Sequence, residues 1–86
     1  MADIATEKFK LTFENGNEKE AVLILSESGA FAYGNQTCME LQIDGEFQDS
    51  FDTRYEVGCN SPESFHEWSL KFMRSYIRKS IKVERS

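Results

Sequence analysis

Carboxylates and cations occupy separate parts of this 86-residue chain. Residues 1–70 hold 14 of the 15 carboxylates and only four of the ten lysines and arginines, a net charge of −10. Residues 71–86 hold six cations and one carboxylate, a net charge of +5. Because opposite charges steer association, we expect the C-terminal end to attract anionic partners and the remainder of the chain to attract cationic ones.

A row of carboxylates lies on or beside the solvent-facing side of the hairpin that the sequence predicts around Asp44-Gly45. Carboxylates spaced along a rigid sheet can imitate the phosphates of a nucleic acid and occupy the basic groove of an enzyme that binds it. Solubility alone accounts for the same residues, since acidic surfaces are ordinary in soluble domains. The candidate acidic face, for a protein partner with a basic surface, consists of Glu40, Asp44, Glu46, Asp52 and Glu56.

The C-terminal cations recur at the spacing of one helix face. At about 100° per residue, four of them form a continuous basic ridge that could contact phosphates. A solvated helix face is the plainer interpretation. The alternative hypothesis is a nucleic-acid-binding homodimer that uses Lys71, Arg74, Arg78 and Lys82.

Residues suited to catalysis or to metal binding are scarce. His66 is the only histidine, and Cys59 lies just before a predicted helix start, a position that can activate a thiol. Cys38, Cys59 and one histidine do not make a four-ligand zinc site. Because no oxyanion hole or phosphate-binding glycine loop is indicated, we expect no enzyme, metal or cofactor; an enzyme centred on Cys59 is a third hypothesis.

The N-terminus has no basic region followed by an apolar one. The longest wholly apolar run, residues 21–25, is far too short to span a bilayer. We therefore expect a cytoplasmic protein with reduced thiols and no membrane partner.

Alternating apolar and polar residues predict several strands, and a 3.6-residue period predicts one helix. Ser61 is a good N-cap and Pro62 suits the first helical position, so the helix should run from Pro62 to about Lys79. The order β-β-β-β-β-α predicts an α+β fold, with an antiparallel sheet of four to five strands and one C-terminal helix packed on one face. We expect one domain over residues 1–86 with frayed ends at 1–6 and 83–86. The predicted strands are residues 8–14, 21–25, 30–33, 38–43 and 47–57.

Strand register follows from keeping carboxylates off the core face. In the first hairpin, a two-residue loop would pair Leu11 with Glu20, so we expect a loop of about three or four residues. That loop places Leu11 opposite Ala21 or Val22 and Phe9 opposite Leu23 or Ile24.

In the last hairpin, a three-residue loop over 44–46 sets Ile43 opposite Phe47 and Met39 opposite Phe51. Phe47 and Phe51 then share the core face, but Asp49 falls there too. A bulge near Asp49 or Ser50, or a position beyond the sheet edge, would resolve that conflict, and both stay open.

The predicted helix has an apolar arc of roughly 220°, about twice the width that packing on one surface requires. A dimer partner, a bound protein or an ordered C-terminal tail could cover the excess. Trp68 and Tyr76 would be the leading hot spots of such an interface. The candidate oligomer interface consists of Trp68, Leu70, Met73, Ile77 and Ile81.

Taken together, these patterns favour a small acidic, non-catalytic protein-binding module. Its most concrete form is an inhibitor or regulator of a nucleic-acid enzyme, of the phage or mobile-element type, acting through the acidic hairpin face and dimerising through the C-terminal helix.

Overall fold

Residues 2–28, 36–52 and 62–86 are described by a computed structural model of the chain. They form an antiparallel sheet of five strands and one α-helix, which confirms the predicted α+β class. In chain order the elements are β1 (Ala2–Thr12), β2 (Glu18–Ser28), β3 (Gln36–Ile43), β4 (Glu46–Asp52), α1 (Pro62–Tyr76) and β5 (Lys82–Arg85).

The strands are arranged in the order β4-β3-β2-β1-β5, so β2 is central and β4 and β5 are the edges of the sheet as described. The strand predicted over residues 30–33 lies outside the described residues, as do Tyr55 and Val57 of the predicted last strand. The fifth strand of the described sheet follows the helix rather than preceding it.

The core forms where one face of the sheet meets the helix. Alternate residues of the three inner strands are buried because successive side chains of a strand point to opposite faces. Helix α1 adds residues spaced four apart, Phe65, Ser69 and Met73, which lie on one side of the helix. The buried apolar residues are Phe9, Leu11, Ala21, Leu23, Leu25, Met39, Leu41, Phe65, Met73 and Val83.

The β1–β2 loop has three residues, within the predicted length, but it begins one residue earlier than expected. The amide of Phe13 donates to the Asn17 carbonyl (2.8 Å), and the amide of Gly16 donates to the Phe13 carbonyl (2.9 Å). Gly16 has a φ of 85°, which suits glycine in a three-residue hairpin loop. The Asn15 side chain also accepts a hydrogen bond from the Asn17 amide (3.0 Å). These bonds set the loop at residues 14–16.

The earlier turn changes the strand register. Phe9 lies opposite Ala21 and Leu11 opposite Lys19, so the expected pairings of Leu11 with Ala21 or Val22 and of Phe9 with Leu23 or Ile24 are wrong. The expected register for a three-residue loop pairs Leu11 with Ala21, and the observed register differs from it by two residues. A shift of two residues leaves each side chain on the same face of the sheet. Phe9 and Leu11 are therefore still in the core.

The β3–β4 hairpin has a two-residue turn and a bulge. Asp44 and Gly45 have φ values of 53° and 80°, as in a type I′ turn, and Ile43 lies opposite Glu46. The expected pairing of Ile43 with Phe47 is therefore wrong. The register then shifts by one residue at Gln48, and Met39 lies opposite Phe51 as predicted.

The bulge sends Phe47 and Phe51 to opposite faces of the sheet. Phe47 lies opposite Gln42, on the face away from the helix, and is 62% exposed. The prediction that both rings share the core face is wrong for Phe47. Asp49 lies opposite Leu41 on the helix side, where it is half-buried.

The helix begins at Pro62 as predicted but ends at Tyr76, before the expected Lys79. The chain reverses through residues 77–81, where the Ile81 amide donates to the Arg78 carbonyl (3.0 Å). Val83 of β5 then pairs with Leu11 and is only 6% exposed. At the two ends where we expect fraying, the structure has strand: β1 begins at Ala2, and β5 pairs with β1 up to Arg85. Burial of Val83 against the sheet favours the strand over a longer helix.

Truncating two phenylalanines tests the bulge through stability. We expect Phe9→Ala to lower the free energy of unfolding by about 3–5 kcal/mol, because it leaves a cavity in the core. Phe47→Ala should change it by no more than about 0.5 kcal/mol, because the ring is on the surface. Urea unfolding followed by circular dichroism measures both. A large loss in Phe47→Ala would place that ring in the core and contradict the bulge.

Candidate functional site

Four of the five residues of the predicted acidic face lie within the described residues, and they occupy different parts of the β3–β4 hairpin. Asp44 and Glu46 are exposed at the β3–β4 turn. Glu40 is half-buried within β3, and its Oε2 accepts a hydrogen bond from the side-chain Nε2 of Gln42 (2.6 Å). Asp52 pairs with Cys38 at the far end of the hairpin, and Glu56 lies outside the described residues. Of the three predicted residues whose exposure the structure describes, Asp44 and Glu46 are thus exposed at the same turn.

Asp44 joins the turn to the neighbouring strand. Its Oδ1 accepts a hydrogen bond from the Glu20 amide (3.0 Å), and its own amide donates to the Glu20 carbonyl (2.8 Å). Both bonds hold the turn against the beginning of β2. They bring Glu20 beside Asp44, a neighbour that the sequence prediction did not include.

We define the acidic hairpin surface as the exposed residues at this end of the sheet. Glu18 forms an ion pair with Lys10 (3.1 Å), whereas Glu20, Asp44 and Glu46 form no ion pair within the described part of the chain. The hydrogen bond and charge of Glu18, followed by the charge of Glu84, raise the pKa of Lys10 above its usual value. The acidic hairpin surface consists of the exposed carboxylates Glu18, Glu20, Asp44 and Glu46 together with Phe47; within β4, Glu46 points to the helix side and Phe47 points away from it.

Phe47 is the member of this surface that the sequence analysis assigned to the core. The Asp-Gly pair is a strong signal for a two-residue turn, and such a turn places Phe47 opposite Gln42. The Asp-Gly signal, if given more weight than the burial of Phe47, predicts that this ring is exposed.

The predicted basic residues come from three elements instead of one helix face. Lys71 and Arg74 are exposed on α1, Arg78 follows the helix, and Lys82 belongs to β5. We define the basic groove as the depression of about 400 Å³ between the helix end and β5. Arg74, Arg78, Lys79, Ile81, Lys82, Val83 and Glu84 line it.

The predicted oligomer interface is mostly packed within the chain. Met73 is fully buried, so it is not available to a partner. The other four residues, Trp68, Leu70, Ile77 and Ile81, are half-buried against the core. Strand β5 is an ordered C-terminal segment, and it pairs with β1 at the edge of the sheet. A homodimer through the remaining exposed parts of these residues stays a prediction.

An ionic cluster that the sequence did not indicate joins β1, α1 and β5. Arg85 Nη1 donates to Glu7 Oε1 (2.7 Å), and His66 Nδ1 lies 2.8 Å from the same oxygen. Arg85 Nη2 donates to the His66 carbonyl, and the guanidinium lies 5.7 Å from the centre of the Phe9 ring. Residues 7 and 85 are far apart in sequence, and only the pairing of β1 with β5 brings them together. The only histidine therefore belongs to this ionic cluster of Glu7, His66 and Arg85, which we call the clasp on β5. Cys59 lies outside the described residues.

Tyr76 connects the end of the helix to β4. Its hydroxyl donates to Asp49 Oδ2 (3.2 Å), and its ring packs edge-on against Phe51 with centroids 5.5 Å apart. Partial burial of Tyr76, which is still 42% exposed, followed by the hydrogen bond and the charge of Asp49, raises its pKa above the usual value of 10.0. The neutral phenol is thus favoured in the folded protein.

In comparisons with protein-family models, curated proteins and solved structures, nothing matches this chain. Within the described ranges, no group of three or more histidine, cysteine, aspartate or glutamate side chains could hold a metal ion. No helix in the same ranges is long and apolar enough to cross a membrane.

The titration of Tyr76 gives a pH prediction. Because folding raises this pKa, the contact stabilises the protein below pH 10 and is lost as the pH rises through the folded value. We expect near-ultraviolet absorbance to show one tyrosine titrating late, and Tyr76→Phe to remove that transition. Asp49→Asn should lower the transition only partly, since burial is the larger cause. Asp44→Asn, a distant aspartate, should leave it unchanged; an equal shift in both variants would contradict the assignment.

The clasp on β5 is tested by a matched pair of substitutions. Arg85→Met should lower the free energy of unfolding by about 1–3 kcal/mol, because the largely buried Glu7 carboxylate loses its charged donor. Lys82→Met, on the same strand and 71% exposed, should change it by no more than about 0.5 kcal/mol. Thermal and urea unfolding measure both. Equal effects would show that the clasp contributes nothing particular to stability.

Proposed function

We propose that this chain is a non-catalytic protein-binding module whose acidic hairpin surface contacts a basic surface of a partner protein. The observation that carries the proposal is Phe47, which is 62% exposed on the face away from the helix, at the end of the sheet where Glu20 and Asp44 form no ion pair within the described ranges. A solvent-exposed aromatic ring next to unpaired charges combines the two features that protein interfaces use, an apolar anchor and a polar rim.

The two features contribute in different ways. Covering the exposed part of Phe47 would remove roughly 100 Å² of apolar surface from water, a stabilisation of about 2–3 kcal/mol. The surrounding carboxylates add little affinity individually, because they are exposed to solvent. They instead steer a basic partner and reject acidic ones. Phe47 is therefore the anchor and the charges select the partner.

The most concrete partner is an enzyme that binds nucleic acid in a basic groove. Glu20 lies on β2 and Asp44 in the β3–β4 turn beside it, and the two hydrogen bonds between them fix their relative position. A rigid array of this kind supports imitation of a phosphate backbone, with Phe47 in the position of an unstacked base. The chain would then act as an inhibitor or regulator of that enzyme.

The alternative, a nucleic-acid-binding homodimer, has less support. The chain as a whole has a net charge of −5, which opposes the long-range approach of a polyanion even though residues 71–86 alone carry +5. Met73, one of the five residues of the expected dimer interface, is fully buried within the monomer.

A photo-reactive phenylalanine at position 47 tests the proposal, because it captures a protein only if the partner covers that ring. The same group at Glu63, exposed on the helix, is the control. With the captured protein purified, we expect Phe47→Ala to weaken binding about tenfold or more. The triple variant Glu20→Gln, Asp44→Asn, Glu46→Gln should weaken it by a similar factor at low salt, mainly through slower association.

A second triple variant controls for the loss of charge. Glu14→Gln, Glu63→Gln, Glu67→Gln removes three exposed carboxylates elsewhere and should change the affinity by less than about threefold. If duplex DNA competes with the chain for the captured protein, the inhibitor form is supported. Unchanged affinity in both Phe47→Ala and the first triple variant would refute the proposed surface.

A further inference from the structure

The chain reversal after α1 builds the basic groove from two elements. Arg74 lies in the last turn of the helix, and Lys82 begins β5. Between them, the bond from the Ile81 amide to the Arg78 carbonyl closes a turn that sets Arg78 and Lys79 beside the helix end. Ile81 and Val83 form the apolar floor. The cations thus surround one depression instead of spreading along a helix.

The charge in this groove is poorly compensated. Four cations and one carboxylate line it, a net charge of +3. Glu84 pairs with Lys82 (3.3 Å), but Arg74, Arg78 and Lys79 form no ion pair within residues 62–86 or the other described ranges. Cations close together repel each other, and a bound polyanion would relieve that repulsion.

The helix dipole explains only part of this arrangement. Cations are favoured at a helix C-terminus, where the last carbonyls carry partial negative charge, and Arg74 meets that description. Lys82 does not, because it comes from β5. The helix dipole therefore does not account for its place in the groove.

The edge of β5 adds a main-chain donor. The Ser86 amide donates to the Lys8 carbonyl (3.1 Å), so alternate residues of β5 direct their main-chain groups toward β1. By that alternation the amide of Val83 lies on the outer side of the strand, where the described sheet has no further neighbour. Val83 is also one of the residues that line the groove.

We propose that the basic groove is a binding site for an oligophosphate, a ligand with two or more adjacent phosphate groups. Guanidinium groups bind phosphate oxygens through two parallel hydrogen bonds, and lysine adds compact charge. A net charge of +3 matches several phosphates better than a single carboxylate. The ligand is either a free oligophosphate chain or the backbone of a single-stranded nucleic acid, which share this chemistry.

Titration of the full chain with tripolyphosphate, followed by calorimetry and amide chemical shifts, tests the site. We expect the amides of residues 74–83 to shift, and Arg74→Gln/Arg78→Gln to weaken binding about tenfold or more. Lys8→Gln/Lys19→Gln removes two cations outside the groove and should weaken binding less than about threefold. No detectable binding, or equal losses in the two double variants, would overturn the proposal.

A gain in affinity gives a test that misfolding cannot imitate. Glu84→Gln removes the one carboxylate of the groove and frees Lys82, so binding should tighten by about threefold or more. Glu18→Gln makes the same charge change outside the groove and should have a smaller effect. If Glu84→Gln leaves the affinity unchanged, the groove is not the site.

Two further ligands identify the source of the phosphates. Tighter binding of tripolyphosphate than of a ten-nucleotide single strand supports a free oligophosphate, and the reverse order supports a nucleic-acid backbone. Hexaglutamate bound as tightly as either would overturn the preference for phosphate and indicate a site for acidic peptides.

Discussion

Successive side chains of a strand point to opposite faces of the sheet, so the pairing register of the strands is the constraint on which this structure depends. A slip of one residue between paired strands would exchange the buried and the exposed side chains of a whole strand. The central strand β2 pairs with β1 and β3 in registers that keep Leu23 and Leu25 in the core. The residues opposite these two leucines point to the same face of the sheet. The helix can then cover one face of the sheet.

The bulge at Gln48 is the one described place between β3 and β4 where this constraint is relaxed. Before it, β4 presents Phe47 on the face away from the helix; beyond it, β4 presents Phe51 to the helix. Phe51 packs edge-on against Phe72 with ring centroids 5.0 Å apart. An extra residue thus gives one strand both a core aromatic and a surface aromatic.

Register also decides where the charges lie. Thr12 pairs with Glu18 on one side and with Lys82 on the other, so the first hairpin and β5 meet at one end of the sheet. The β3–β4 turn is held at that same end by the bonds between Asp44 and Glu20. The division of charge along the chain becomes a division across the sheet, with the acidic hairpin surface toward β4 and the basic groove at β5. Lys10 lies between them, influenced by carboxylates from both sides.

Features encoded by local patterns could be predicted from the sequence. Alternation around Phe9 and Met39 indicated strands, and Ser61-Pro62 indicated the helix start. Features set by contacts distant in sequence could not. The pairing of Val83 with Leu11 and the clasp of Arg85 on Glu7 join opposite ends of the chain. Burial of Val83 outweighed the helical spacing that the C-terminal cations suggested.

Both hairpin errors came from giving hydrophobic matching more weight than turn chemistry. Gly16 and Asp44-Gly45 adopt left-handed conformations that set the loops, and the strands follow them. In the second hairpin the chain accommodates the turn by adding a bulge and leaving Phe47 in solvent. The candidate site depended on that outcome, so the sequence analysis found two of its carboxylates but not its aromatic anchor.

The most direct test of this account is a measurement of nuclear Overhauser contacts between main-chain protons of β3 and β4 in solution. The structure predicts that Phe47 contacts Gln42 while Phe51 contacts Met39, with Gln48 unpaired between them. Contacts of Phe47 with Ile43, together with those of Phe51 with Met39, would indicate a regular register without the bulge. Phe47 would then face the helix, and the acidic hairpin surface would lose the ring on which its proposed function rests.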